Sequence, residues 1–109
     1  MRGAGRGSIV TIGAAAAARA GKSSAAYAAA KSAVLRLTES LADEFKGEGS
    51  RANCVLPGTI DTPSNRAAMP KADPSRWASP EEVAEVIAFL LSDAAAGITG
   101  AAVPVTGRG

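Results

Sequence analysis

The sequence predicts an α/β fold in which three parallel strands are joined by two main helices. Two observations carry this expectation. Short β-branched runs alternate with longer segments rich in helix formers, and Gly or Pro closes each run. Alternation in this order requires parallel strands connected by right-handed helical crossovers.

The first strand is Ser8-Ile9-Val10-Thr11-Ile12, closed by Gly13. An Ala/Gly/Ser stretch from Ala14 to Ser24 then runs as a loop into a helix start, with Ser23 and Ser24 as N-cap candidates. From Ala25 to Lys46 the chain is rich in Ala, Leu, Glu and Lys, lacks Gly and Pro, and ends at Gly47 and Gly49, which predicts one long helix. Arg51 to Leu56 is the second strand, stopped by Pro57-Gly58. The irregular stretch after it, with Pro63, Pro70 and Pro74, reads as a long loop of the kind that commonly carries function. Ser79-Pro80-Glu81-Glu82 starts a second helix: Ser79 is the N-cap, Pro80 the first helical position, and Glu82 closes a capping box. Val83, Val86, Ile87, Leu90 and Leu91 form its buried stripe. Gly97 and Gly100 bracket a turn before a last strand, Ala101 to Val105. No internal repeat is present.

Composition bounds what this fold can do. A length of 109 residues is one modest domain or part of a larger one. Ala and Gly dominate the apolar count, and the only aromatics are Tyr27, Phe45, Trp77 and Phe89, so few large side chains are available for a core. Large buried side chains contribute about 1.5–3 kcal/mol each against the conformational entropy of ordering the chain. Stability is therefore expected to depend on further chain or on a partner. The absence of His removes Ser-His-Asp and Cys-His catalysis and imidazole metal sites, and a lone Cys54 in an apolar run forms no internal disulfide and reads as packing. No metal site is expected. A formal charge of +2, evenly spread, lacks the clustered Lys/Arg of a nucleic-acid footprint. No apolar run reaches the roughly 20 residues of a membrane span, and no signal peptide stands at the N-terminus, so no membrane partner and a cytoplasmic location are expected. Residues 1–7, with Gly3-Ala4-Gly5-Arg6-Gly7, read as a flexible lead-in, and 8–109 as the folded part.

On a helical wheel, Tyr27, Lys31, Val34, Leu41 and Phe45 share one face of the long helix. Its C-terminal half is an ordinary core stripe. Its N-terminal half puts a phenol and an ammonium one turn apart. Taken alone, this admits two readings. Tyr27 packs with a wet hydroxyl while Lys31 snorkels, or the two form an acid/base pair in which the cation favours the phenolate. The pair opens a helix that follows a buried strand, where open α/β sheets bind ligands.

Ser8-Ile9-Val10-Thr11-Ile12, Tyr27-Ala28-Ala29-Ala30-Lys31 and Val55-Leu56-Pro57-Gly58 with Thr62 together resemble the C-terminal half of a short-chain dehydrogenase/reductase. The resemblance covers the chain from Gly7 onward. It implies the last three strands of a Rossmann-like doubly wound parallel sheet and an NAD- or NADP-dependent oxidoreductase acting on a small-molecule substrate. It also implies roles. Tyr27 transfers the proton, Lys31 lowers the Tyr27 pKa and binds the nicotinamide ribose, and Pro57, Gly58 and Thr62 contact the carboxamide and pyrophosphate. The family's Ser after the strand falls near Gly13-Ala14, where no hydroxyl stands, and Ser23 or Ser24 are better used as caps. The loop Asp61 to Asp73, with Ser75 and Trp77, is similar to that of dihydropteridine reductases, which also carry Ala at that place. A quinonoid pterin accepts hydride without a carbonyl-polarising hydroxyl.

The family's Gly-rich nucleotide-binding turn has no counterpart here, so the chain is expected to be an incomplete fragment, inactive alone. A different reading is a non-catalytic oligomerising α/β module. It would pair through the exposed sheet edge or the small face Ala25, Ala29, Ser32, Ala33 and Arg36. Both readings expect a homo-oligomer.

Overall fold

A computed structural model describes residues 6–14 and 25–109. The described elements run in the expected order: β1 (Gly7–Ile12), α1 (Ala25–Phe45), β2 (Ser50–Pro57), a short α2 (Pro63–Ala68), α3 (Pro80–Leu91) and β3 (Ala102–Val105). The sheet is parallel, in the order β1-β2-β3, with Ile9 opposite Ala52 and Val55 opposite Val103. Strand β1 starts at Gly7, one residue earlier than the β-branched run alone indicates, and Arg6 before it reaches Asp93 at 3.4 Å. Ser23, Ser24 and Gly3-Ala4-Gly5 lie outside the described residues.

Strand β2 is central, and both of its faces are covered. Side chains alternate along a strand, so Val55 joins Ala78, Val83 and Leu90 in the core under α3, while Cys54 and Leu56 meet Leu35 of α1 on the other face. This makes three layers, helix on sheet on helix. Buried polar groups are paired across them. Thr38 donates to the Val34 carbonyl at 2.7 Å, which leaves its oxygen to accept from Thr11 at 2.6 Å. The Asn53 amide donates to the Ile98 carbonyl and accepts from the Ala101 N–H, both at 3.0 Å. Arg51 donates to the carbonyls of Leu90, Ser92 and Ile98, satisfying the C-terminal end of α3 with a cation, as the helix dipole favours.

Helix α3 starts as its sequence dictates. Ser79 accepts from the Glu82 N–H at 3.0 Å, and Glu82 accepts from the Ser79 N–H at 2.8 Å. Val83 and Leu90 are buried, with Val86 and Ile87 partly so. Leu91 departs from the expected stripe and is exposed. Helix α1 departs further. Its buried residues are Ala28, Leu35, Thr38 and Ala42, a stripe rotated roughly 70° from the Tyr27 face at about 100° per residue. Small Ala28 and Ala42 let the backbone approach the sheet closely, so Tyr27 sits at the edge of the contact and is 54% exposed. The stretch read as irregular loop contains α2, because Thr62 is an N-cap accepting from the Asn65 N–H and Pro63 takes the first helical turn.

Candidate active site

Parallel strands place their C-terminal ends on one edge of the sheet, and the chain that leaves each end converges there. Ala14 follows β1, Pro57 ends β2 with Gly58-Thr59 after it, and Tyr27 stands on the first turn of α1. Together with Asn65 and Met69, on and just after α2, they line a cavity of about 400 Å³. That volume lies in the range of small-molecule sites, roughly 300–1,000 Å³. A larger groove of about 600 Å³ runs between α3 and β3 past Val86, Phe89 and Val103. Of its two carboxylates, Glu82 is engaged by Arg108, and the groove lies away from Tyr27 and the strand ends that line the smaller cavity.

Each wall has a local cause. Gly13 continues the ladder by donating to the Val55 carbonyl at 2.8 Å. A Cβ on Gly13 would stand 2.8 Å from Leu56 Cδ2 and 3.1 Å from Cys54 Sγ, so that position admits no side chain without displacement. Ala14, by contrast, is on the cavity wall. Gly58 donates to the Val105 carbonyl at 3.1 Å, tying the Pro57-Gly58 turn to β3. Asn65 is held by its amide on the Ile60 carbonyl at 2.8 Å. Arg66 forms two hydrogen bonds to Asp61, at 2.7 and 3.0 Å, and that guanidinium holds the Asp61 carboxyl below its ordinary range.

Of the residues expected from sequence, Tyr27, Pro57 and Gly58 meet in the cavity. Lys31 lies one turn along α1 with Nζ 5.8 Å from the centre of the Tyr27 ring, within the distance of a cation–π contact. Among the described residues it has no acidic partner. Thr62 is not on the cavity wall; its oxygen caps α2 at 3.1 Å from the Asn65 nitrogen, and its hydroxyl proton remains available to donate. Sequence reasoning did not find Thr59, Asn65 or Met69. Thr62-Pro63 was the available signal for α2, an N-cap followed by proline, which would have brought Asn65 and Met69 forward.

Lys31 presents an ammonium unpaired with any carboxylate among the described residues, and Gly58 leaves a wall without a side chain, a set that can take a ligand carrying hydrogen-bond acceptors. No described helix is long and apolar enough to cross a membrane.

Comparison with known proteins agrees with this fold. Residues 1–107 match the family model described as enoyl-(acyl carrier protein) reductase. The chain is 44% identical to cis-4-hydroxycyclohexanecarboxylate dehydrogenase of Sinomonas cyclohexanicum over 98% of its own length and 46% of that protein's. It superposes with a TM-score of 0.85 on an oxidoreductase of the short chain dehydrogenase/reductase family from Burkholderia thailandensis, at 37% identity, over 98% of this chain and 46% of that one. An NAD(P) dependent gluconate 5-dehydrogenase structure from Beutenbergia cavernae, described with bound NADP, matches with a TM-score of 0.87 at 37% identity, over 98% and 47%. The chain thus spans about half the length of the relatives it matches.

Proposed function

The chain belongs to the short-chain dehydrogenase/reductase family, and on that premise we propose that it supplies the proton-transfer and nicotinamide end of an NAD(P)-dependent oxidoreductase acting on a small molecule. The observation that carries this is the convergence of Tyr27, Ala14 and the Pro57-Gly58 turn on one cavity at the strand ends. A nicotinamide cofactor supplies the hydride when bound, and Lys31, Pro57, Gly58 and Thr62 would hold its nicotinamide end. Tyr27 hands its proton to the reduced substrate and takes it back in the oxidative direction. The Lys31 cation stands one turn away, with Nζ 5.8 Å from the centre of the Tyr27 ring.

Ala14 narrows the substrate. A methyl on the wall beside Tyr27 offers no hydrogen bond to polarise a carbonyl, so the site suits an acceptor that is already electron-poor, such as a quinonoid, pteridine-like ring. Catalysis requires a Gly-rich nucleotide-binding half in addition to residues 8–109, and the assembled protein acts in the cytoplasm as a homo-oligomer. The outer face of α1 supports the last point: Ala25, Ala29 and Ala33 are exposed beside Leu37, which is 59% exposed. That same face is what favours the second reading, a non-catalytic oligomerising module.

The deciding experiment is Tyr27→Phe in the chain complemented with the N-terminal half of the Burkholderia thailandensis oxidoreductase. Loss of a general acid–base group lowers turnover by about 10²–10⁴-fold. Full NADH-dependent turnover in the variant would refute the assignment of Tyr27, and no turnover from the unsubstituted chain so complemented would favour the module reading.

A further inference from the structure

The cavity has one wall that does not belong to the sheet. Between Thr59 and Ala78 the chain leaves the sheet edge, forms α2 and returns, and its neck is closed by a bridge. Asp61 N–H donates to the Ala78 carbonyl at 2.8 Å, and Ala78 N–H to the Thr59 carbonyl at 3.2 Å. Residues 62–77 are therefore a flap tethered at one point, and they bring Asn65 and Met69 to the cavity. The neck alone leaves the returning limb free to pivot. The C-terminal turn is what grips it.

Arg108 holds that limb with backbone and side chain together. Its N–H donates to the Arg76 carbonyl at 3.0 Å, and Nη2 donates to the Trp77 carbonyl at 2.9 Å. Its guanidinium forks onto Glu82 at 3.0 and 3.1 Å. Arg76 answers by donating from Nε and Nη2 to the Arg108 carbonyl at 3.2 and 3.1 Å. Glu82 is in turn fixed on α3 by the Ser79 N–H. The approach is close enough to exclude a side chain: Gly107 has φ of 68°, and a Cβ there would stand 2.7 Å from Ala78 N and from the Trp77 carbonyl atoms. A surface ion pair alone contributes little. This one is joined to four backbone-directed bonds on a single short limb, so it acts on geometry.

We propose that Arg108 is a positioning residue, and that the C-terminal turn clasps the 62–77 flap and thereby sets how Asn65 and Met69 stand against the substrate cavity. That the cavity takes substrate rests on the proposed function; the clasp itself does not. Flap order is measured without turnover, so a failure of the Tyr27 assignment and a failure of the clasp are separate results.

The test is amide hydrogen exchange on the full chain as wild type, Arg108→Ala, Gly107→Ala and Arg108→Lys. Amides of residues 62–77 are expected to exchange about tenfold faster in Arg108→Ala and Gly107→Ala, with β2 and α1 unchanged. Arg108→Lys should recover part of the protection, because an ammonium keeps the charge and loses the fork. Emission from Trp77, the single tryptophan, should shift with the flap. Unchanged flap exchange in both disruptive variants overturns the proposal. So does a uniform rise across β2 and α1, which would make the tail a general brace.

Discussion

Substituting Gly13 by Ala tests how the end of β1 is built. The φ of Gly13 is not positive, so the backbone accepts Ala, and the unfolded chain alone would favour the change by about 0.4–1 kcal/mol. Packing opposes it. The new methyl would lie 2.8 Å from Leu56 Cδ2 and 3.1 Å from Cys54 Sγ, against about 3.5–4.0 Å for carbon atoms at optimal separation. Leu56 and Cys54 are buried at 2% and 0% exposure, so neither swings into solvent to make room. Overpacking of this kind costs about 1–3 kcal/mol, so the middle of the two ranges leaves a net loss of about 1 kcal/mol. For a domain near this size that lowers the melting temperature by about 4–8 °C. Urea unfolding followed by circular dichroism measures it. The cycle with Leu56→Val should show coupling of at least about 0.5 kcal/mol, since the Val removes the Cδ2 that is struck. A neutral or stabilising Gly13→Ala, or strict additivity with Leu56→Val, would refute the reasoning. Ala14→Ser, buried at 7% exposure but on the cavity wall, is the contrasting control and should cost less than Gly13→Ala.

The other expectations concern cofactor, assembly and pH. Calorimetry on the 109-residue chain should find weak NADH binding or none, because the proposed site holds only the nicotinamide end of the cofactor; micromolar affinity would overturn the division of the site into halves. Sedimentation equilibrium at tens of micromolar should find a homodimer or larger, since among the described residues β1 pairs on one edge only and open edges template association; a cooperatively folded monomer with no dye-binding apolar surface would count against it. The Arg108 guanidinium, with the Ser79 N–H behind it, holds Glu82 down to about 2 from an ordinary 4.5. Because the folded value is the lower one, the stabilisation is complete above pH 4.5 and is lost as pH falls towards 2. The difference in melting temperature between wild type and Glu82→Gln should therefore shrink across that window, and a constant difference would show that the carboxylate charge is not what holds the clasp.

What the sequence determined by itself is what local physics controls. The strand runs, the Gly- and Pro-free span of α1 and the Ser79-to-Glu82 capping box depend on neighbours within a turn or two, and each appears in the structure at its expected place. Parallel pairing followed from the alternation of those elements. The i, i+4 spacing of Tyr27 and Lys31 was legible for the same reason. Tertiary structure decided matters that turn on residues far apart in the chain. The sheet chose the Ala28–Leu35–Thr38–Ala42 face of α1, because small residues permit the closest approach, and so left Tyr27 at the margin where it borders a cavity. Contact with Cys54 and Leu56 decided that Gly13 is closed and Ala14 open, two adjacent positions the sequence could not separate. Thr62 was claimed by the helix it caps, and Arg51 and Arg108 found carbonyls 31 to 47 positions away. Propensity and periodicity are short-range, while the filling of space between layers is not, and the site lies where the layers meet.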